Sequence, residues 1–246
     1  MISIKDLSPM PPEDLSKEEC KKQLKKFKKK LFELQNVFYA DRRFSLLIIL
    51  QGTDTAGKDG TIRNVMTCMN PMGVRVHSFK KPTEEEKKHD FLWRVYPHIP
   101  PKGIIQVFNR SYYEDIIVPR IKGELDDKRI QHRINLINGL ENHLMQNNTH
   151  ILKFFLHISS EEQKSRIEER LTKPRKHWKY DKEDHKASKK WEDYANTYDS
   201  VFKETSSIPW LIVPSNKRWY RNYFVAKKMV EYLESLNLEY PKGASN

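Results

Sequence analysis

The chain has 246 residues, 32% of them charged, and a formal net charge of +12. Its two cysteines, Cys20 and Cys68, match no metal-ligand spacing, which argues against a secreted disulfide scaffold and favours a cytoplasmic location. No stretch approaches the ~20 apolar residues of a membrane span, and the N-terminus lacks the pattern of a signal peptide. The positive charge concentrates anions without selecting among nucleic acid, anionic lipid and other polyanions.

The first predicted element is a long helix that begins after Ser16. Ser16 is the expected N-cap, and Glu19 follows three residues later in a capping-box pattern. Apolar residues recur at helical spacing from Leu24 to Phe38, with lysines between them. These lysines form either the solvated face of a docking helix or an anion-collecting face. We expect residues 1–43 to be an N-terminal helical extension.

Five short apolar runs follow, at 45–51, 74–79, 104–109, 151–158 and 209–214. Helical patterns lie around them, at 58–72, 83–96, 111–121, 127–146, 161–171 and 220–236. Nearly continuous β-branched and aromatic runs that alternate with helices predict a parallel sheet covered on both faces. We therefore predict one α/β domain over residues 1–246, with a helical insertion before the fifth strand.

The strongest motif, GTDTAGKDG at 52–60, lies between the first strand and the next helix. It meets the GxxxxGK spacing in full, and the backbone N–H groups of such a turn surround an anion. Asp59 replaces the usual Ser or Thr that ligates Mg²⁺, so Asp54 is the expected metal ligand. The expected phosphate-binding residues are Gly52, Thr55, Ala56, Gly57, Lys58, Asp59, Gly60 and Arg63.

A second motif, IIQVFNRSYYED at 104–115, ends a strand in polar residues. Open α/β sheets bind ligands at this edge. Asn109 stands where a Walker B strand normally has Asp, and it still offers an oxygen. Arg110 suits the neutralisation of a transferring phosphoryl group, because its planar fork matches phosphate oxygens. Glu114 either compensates the helix dipole or acts in the site.

The segment 166–191 is dense in basic residues and contains Pro174, Trp178 and Trp191. Two interpretations stay open. The segment forms two surface helices joined at Pro174 with the tryptophans packed beneath, or it forms a lid of the kind found in phosphotransferases. The insertion is predicted to run from about 161 to 205.

These blocks together resemble family-2 polyphosphate kinases. The resemblance rests on GTDTAGKDGTI, FNRSYYED and the later KPRKHWK…W…Y…PWLIVPSNKRW, and it covers roughly residues 20–236. It implies a three-layer α/β/α P-loop fold similar to thymidylate kinase, with a parallel sheet and a helical lid. Family members that accept both nucleoside mono- and diphosphates tend to read FNRSxYE, whereas those restricted to diphosphates tend to read FDRSWYN. This chain reads FNRSYYE.

The resemblance also implies roles for single residues. The implied catalytic residues are Asp54, Lys58, Asn109 and Arg110. Asp54, Asn109, Arg110 and Glu114 would contact the acceptor nucleotide, and Asp54 and Glu114 would hold the metal. The implied contacts to the polyphosphate chain are Arg166, Arg170, Lys176 and Lys179.

The predicted activity is the reversible transfer of the terminal phosphoryl group of inorganic polyphosphate to AMP and ADP, with GMP and GDP as further candidates. The predicted cofactor is Mg²⁺, with Mn²⁺ as an alternative. The family implies a homodimer or homotetramer, and we expect neither a nucleic-acid nor a membrane partner. Two alternatives remain: an ATP-dependent nucleoside monophosphate kinase, and a basic nucleic-acid-binding protein with a vestigial P-loop.

Overall fold

The computed structural model describes residues 3–180 and 188–242. Within them, the strands are β1 (Ser45–Gln51), β2 (Val74–Ser78), β3 (Ile105–Asn109), β4 (Thr149–His157) and β5 (Trp210–Pro214). They form one parallel sheet in the order β2-β3-β1-β4-β5. The predicted parallel sheet is confirmed, and all five apolar runs are strands.

The α-helices of these residues are α1 (Lys17–Asp41), α2 (Lys58–Val65), α3 (Glu114–Lys122), α4 (Asp127–Gln146), α5 (Ser160–Thr172), α6 (Trp191–Glu204) and α7 (Arg218–Ser235). Ser16 caps α1 as predicted, since its hydroxyl accepts the Glu19 backbone N–H at 3.1 Å. Over the described ranges, no helix is both long and apolar enough to cross a bilayer.

The two faces of the sheet bury separate apolar layers. Side chains alternate along a strand, so Leu46, Ile48 and Leu50 of β1 join one core while Leu47 and Ile49 join the other. The first core is completed by α1, α2 and α7, and the second by α3, α4 and α6. The fold is therefore the three-layer α/β/α arrangement that the sequence predicts.

Helix α1 packs along α7 rather than standing apart from the sheet. Leu31 and Phe38 of α1 are fully buried in the first core. The Phe27 ring lies 5.8 Å from that of Tyr223, and Lys30 pairs with Glu234. The segment over 1–43 thus contributes a helix to one layer of the domain.

The prediction of a helix over 83–96 is wrong. This segment contains short 3-10 turns, Glu86–Lys88 and Tyr96–His98, and no α-helix. Its buried anchor is Arg94, whose guanidinium donates to the Lys80 carbonyl and to Asp115, both at 2.9 Å. The segment also packs beside β2, where the rings of His98 and His77 stack at 3.4 Å.

Helix α2 is shorter than the predicted 58–72. It ends at Val65 and is followed by 3-10 turns at Met66–Cys68 and Pro71–Gly73. Proline cannot continue a helix without losing a backbone hydrogen bond, so Pro71 starts a new turn that leads into β2.

Candidate active site

The loop after β1 folds as a phosphate-binding loop. Gly52 approaches β4 so closely that a Cβ there would lie 2.7 Å from the Leu156 carbonyl oxygen. Thr55 and Gly57 have positive φ angles of 66° and 109°, and α2 begins at Lys58. Successive N–H groups in such a turn, next to a helix N-terminus, form a concave site for an anion.

Lys58 lies in the middle of this loop and is buried. Its Nζ donates to the carbonyl oxygens of Gly52 at 2.7 Å and Thr53 at 3.2 Å. Burial, with Arg110 next in importance, lowers the pKa of Lys58 from its ordinary value of 10.5. An ammonium has three donors, so one remains for a phosphate oxygen.

Arg110 and Asp54 form an ion pair across the loop. Arg110 Nη2 lies 2.5 Å from Asp54 Oδ1. Burial tends to raise the pKa of Asp54, but Arg110 and Lys58 outweigh it and the pKa is lowered. Asp54 is therefore an ionised carboxylate next to two cations, which suits a position beside phosphate and metal charge.

Glu114 is the first residue of α3 and belongs to the same charge cluster. Burial raises its pKa, while Arg110 and Lys58 oppose the shift. Asn109, at the end of β3, donates to Asp59 Oδ1 at 3.0 Å and to Ser78 Oγ at 3.3 Å. The ends of β1, β2 and β3 thus meet at one edge, as the sequence predicts for an open parallel sheet.

Asp54 and Glu114 fit a divalent-metal site whose remaining ligands would come from substrate phosphates and water. Asp54 and Glu114 are close enough for the charge of Asp54 to raise the pKa of Glu114. Over residues 3–180 and 188–242, no group of three or more His, Cys, Asp and Glu side chains is arranged to hold a metal. Mg²⁺ commonly uses one or two protein carboxylates with waters and substrate phosphates, rather than an all-protein cage.

The segment after β4 reaches back to the loop. Helix α5 is followed by a 3-10 helix at Pro174–Lys179, and Lys179 Nζ lies 3.0 Å from Asp59 Oδ2. Arg170 Nη1 donates to the Lys179 carbonyl at 3.0 Å. Burial tends to raise the pKa of Asp59, but hydrogen bonds from Lys179 and Asn109 lower it.

Other basic residues of this segment surround one carboxylate. Glu169 accepts from Lys173 at 2.6 Å, from Arg218 at 3.1 Å and from Lys176. Hydrogen bonds from Lys173 and Lys176 are the main cause that lowers the pKa of Glu169 to about 2. Lys176 is thus ion-paired within this basic segment. The segment 181–187 of the predicted insertion lies outside the described residues.

The structure uses Arg166 differently from the sequence prediction. Its guanidinium is buried and all five N–H donors have partners inside the protein. Nε donates to Glu162 at 2.7 Å, and the two Nη atoms donate to four backbone carbonyls, those of Thr55, Ala56, Ser215 and Asn216. Direct contact with polyphosphate would break these bonds, so Arg166 holds the phosphate-binding loop from behind.

The remaining expected contact, Arg63, lies on the exposed face of α2. Arg221 of α7 was not predicted, and its guanidinium lies directly against the loop. In the sequence, Arg221 is one of several basic residues near the start of a helix. Because a helical arginine is normally exposed, this pattern gives little indication of a buried position. The hydroxyl of Thr55 is buried and has no hydrogen-bond partner in the described chain, which leaves it for a phosphate oxygen or a water.

A parallel α/β/α sheet that presents a P-loop lysine, an arginine and carboxylates at one edge defines a P-loop phosphotransferase. The model of the family described as polyphosphate kinase 2 (PPK2) matches residues 14–241. The chain therefore belongs to the polyphosphate kinase 2 family.

Similar proteins agree with this assignment. The chain is 43% identical over 96% of its length to an AMP/ADP-polyphosphate phosphotransferase from Meiothermus ruber, covering 91% of that protein. It is 40% identical over 92% of its length to an ADP-polyphosphate phosphotransferase from Rhodopseudomonas palustris, covering 83% of it. The crystal structure of polyphosphate kinase 2 from Arthrobacter aurescens TC1 matches with a TM-score of 0.96 at 38% identity, covering all of this chain and 89% of that one.

Proposed function

We propose that this protein transfers the terminal phosphoryl group of inorganic polyphosphate to AMP and ADP, forming ADP and ATP, and that the transfer is reversible. The observation that carries the proposal is the convergence of Lys58, Arg110 and Asp54 at one sheet edge, with the lid cation Lys179 ion-paired at the loop. The names of the M. ruber and R. palustris relatives support the donor and the acceptors.

The proposed reaction needs positioning and charge stabilisation rather than a protein nucleophile. Lys58 and the loop N–H groups hold the donor phosphates. Arg110 stabilises the equatorial oxygens of the phosphoryl group in transfer, and Asp54 holds the Arg110 fork in orientation. Glu114 and Asn109 lie on the side of β3 and α3, where the acceptor would bind.

A divalent metal, Mg²⁺ or alternatively Mn²⁺, would supply further positive charge to the phosphate oxygens. The residues that would hold it are Asp54 and Glu114, where the charge of Asp54 helps to raise the pKa of Glu114. The lid residues Arg170, Lys176 and Lys179 would contact the polyphosphate chain, with Lys176 exchanging its bond to Glu169 for phosphate. Arg63 would add charge at the mouth of the loop.

The acceptor range follows from the second motif. The motif FNRSYYE, which ends at Glu114, resembles the FNRSxYE pattern of family members that accept both nucleoside mono- and diphosphates. We therefore extend the proposal to AMP as well as ADP, and to GMP and GDP. The same proposal includes a cytoplasmic location. It also includes a homodimer or homotetramer, and light scattering after size exclusion would measure this oligomeric state.

The test is to mix the purified protein with Mg²⁺, long-chain polyphosphate and either AMP or ADP, and to separate the nucleotides by chromatography. We expect ADP and then ATP from AMP without added ATP. A reaction without polyphosphate controls for disproportionation of ADP. Nucleotide phosphorylation that requires ATP and ignores polyphosphate would contradict the proposal and favour an ATP-dependent nucleoside monophosphate kinase.

A further inference from the structure

We propose that Arg221 is a buried cationic component of the phosphate site, a positioning residue whose charge stabilises phosphates bound on the opposite side of the loop. The inference rests on the proposed function in one respect, since it requires the loop to bind phosphate. It is independent of which phosphate compound is the donor.

Arg221 lies in the first turn of α7 and is 2% exposed. Its Nε and Nη2 donate to Asn222 Oδ1 at 3.3 and 3.1 Å, and Nη1 donates to the Ala56 carbonyl at 3.4 Å. The guanidinium therefore touches the loop through one long hydrogen bond and is otherwise held by a neutral amide.

Two glycines leave room for this guanidinium. A Cβ at Gly57 would lie 1.9 Å from Arg221 Nη1, and a Cβ at Gly60 would lie 2.9 Å from Nη2. The second of these glycines has no positive φ, so its own backbone does not require glycine. The close approach of Arg221 gives a physical reason for glycine at position 60, one turn into the phosphate-binding helix.

The charge of Arg221 has no counterion in the described chain. Residues 3–180 and 188–242 contain no carboxylate paired with it, and its charged neighbours are the cations Arg166 and Arg218. Burial is the main cause that lowers its pKa to about 9, and the two arginines add to the shift. Arg166, by contrast, is paired with Glu162.

A buried charge without a partner is costly, and removing it usually stabilises a protein unless an anion is bound nearby. The loop is the adjacent element, and its N–H groups are arranged around an anion. An oligophosphate in the loop would supply the missing negative charge on the far side of one backbone layer. The Arg221 guanidinium then destabilises the protein without ligand and strengthens phosphate binding.

The test compares Arg221→Met, which keeps the length of the stem but removes the charge, with Arg221→Lys, which keeps a charge. Lys228→Met is the matched control, because Lys228 lies on the same helix, is only partly buried and pairs with Glu231. Two quantities are measured for each full-length variant: the melting temperature without ligand, and the affinity for inorganic tripolyphosphate by calorimetry.

We expect Arg221→Met to melt at the same temperature as the unmodified protein or higher, and to bind tripolyphosphate about tenfold more weakly, or worse. Arg221→Lys should recover most of the affinity at pH 7. A purely structural role predicts the opposite pattern, in which Arg221→Met melts lower and both substitutions lose affinity together with stability. That pattern would overturn the inference.

A second variant tests the contact itself. Gly60→Ala should displace the Arg221 guanidinium and weaken tripolyphosphate binding. In the Arg221→Met background the same alanine should have little further effect, because the group that it displaces is gone. Additive losses in the double mutant would contradict the proposed contact.

The two proposals fail in different ways. If the unmodified protein binds neither tripolyphosphate nor ADP, the inference fails together with the proposed function. If the unmodified protein binds them and Arg221→Met binds them equally well, the inference alone is wrong. If tripolyphosphate binding depends on Arg221 but polyphosphate is no donor in the assay, the inference stands and the donor assignment falls.

Discussion

At the scale of a single residue, the backbone conformation of Arg110 indicates a functional constraint. Its φ of 62° is left-handed at the end of β3, a conformation that costs a non-glycine residue about 1 kcal/mol or more. The backbone is fixed there by a hydrogen bond from Arg110 N to the Leu50 carbonyl, and the side chain by Asp54. This geometry turns the guanidinium back over the loop.

We predict that Lys58→Ala and Arg110→Ala each lower the turnover rate by at least ~10²-fold, the usual effect of removing a preorganised charge. The measurement is kcat with saturating AMP and polyphosphate. Lys228→Ala, which removes a partly exposed cation in a later turn of α7, is the control and should keep its activity. A turnover rate near that of the unmodified protein in either variant would remove that residue from the mechanism.

The residues that we propose to contact substrate were easier to locate from the sequence than those that support the loop. GxxxxGK and the polar end of β3 are local patterns, and the structure brings Asp54, Lys58 and Arg110 together. Arg166 and Arg221 belong to helices that approach the loop only in the folded chain. No local pattern tells whether a helical arginine points to water or to a backbone carbonyl.

At the scale of elements, Glu169 connects the basic segment that follows β4 to the rest of the protein. It lies on α5 and pairs with Lys176 of the 3-10 helix and with Arg218 of α7. It also pairs with Lys173 at the C-terminal end of α5. One carboxylate thus joins three elements around the basic mouth of the site.

We predict that Glu169→Gln lowers stability by about 1 kcal/mol at pH 7, because these pairs are partly exposed to water. The pKa of Glu169 is lowered from 4.5 to about 2 in the folded protein. Its stabilisation is therefore complete above pH 4.5 and is lost as the pH falls toward 2. Urea unfolding between pH 7 and pH 3 should show the difference from the unmodified protein shrinking below pH 4.5.

Glu168→Gln is the control for this prediction. Glu168 is the exposed neighbour of Glu169 on the same helix. It should unfold like the unmodified protein across the same pH range. A difference between Glu169→Gln and the unmodified protein that stays constant down to pH 3 would show that the ion pairs are not its cause.

Helices were predictable from the sequence where their apolar residues recur on the side that packs against the sheet. Helix α4 begins and ends where the sequence predicts, since Ile130, Ile134 and Ile137 face the core at helical spacing. The segment 83–96 has a similar spacing in Phe91, Leu92 and Val95, yet it forms turns around Arg94. There the long-range hydrogen bonds of one buried guanidinium outweigh the local helical preference.

At the scale of the whole molecule, a buried polar cluster joins several elements beneath the sheet. Lys153 of β4 donates to Glu141 of α4 at 2.9 Å, to the Tyr113 hydroxyl at 3.0 Å and to the Thr205 carbonyl after α6 at 2.9 Å. The hydroxyls of Tyr112 and Tyr113 donate to the other carboxylate oxygen. Lys153 and Glu141 are 0% exposed, so every polar group must find its partner inside the cluster.

We predict that Lys153→Met lowers the free energy of unfolding by about 3–5 kcal/mol, because it leaves the Glu141 carboxylate buried without its cation. Chemical denaturation measures this loss. Adding Glu141→Gln to Lys153→Met should recover part of the stability, since the unpaired charge is removed. A Lys153→Met variant as stable as the unmodified protein would mean that the cluster contributes packing alone.

The layered α/β arrangement was predictable because it follows from one pattern. Strands without polar faces require helices on both sides, and right-handed crossovers then set the carboxyl ends of β1, β2 and β3 side by side. The order of the strands and the packing of α1 against α7 depend on contacts far apart in the sequence, and no run of residues encodes them.

The central claim is that one site moves a phosphoryl group from polyphosphate to a nucleotide. The most direct measurement is to incubate the purified protein with ³²P-labelled polyphosphate, unlabelled AMP and Mg²⁺, and to follow the label in the separated nucleotides. We expect label in the β-phosphate of ADP and then in ATP, with Lys58→Ala forming labelled nucleotide at least ~10²-fold more slowly. Nucleotides that stay unlabelled while the polyphosphate remains intact would contradict it.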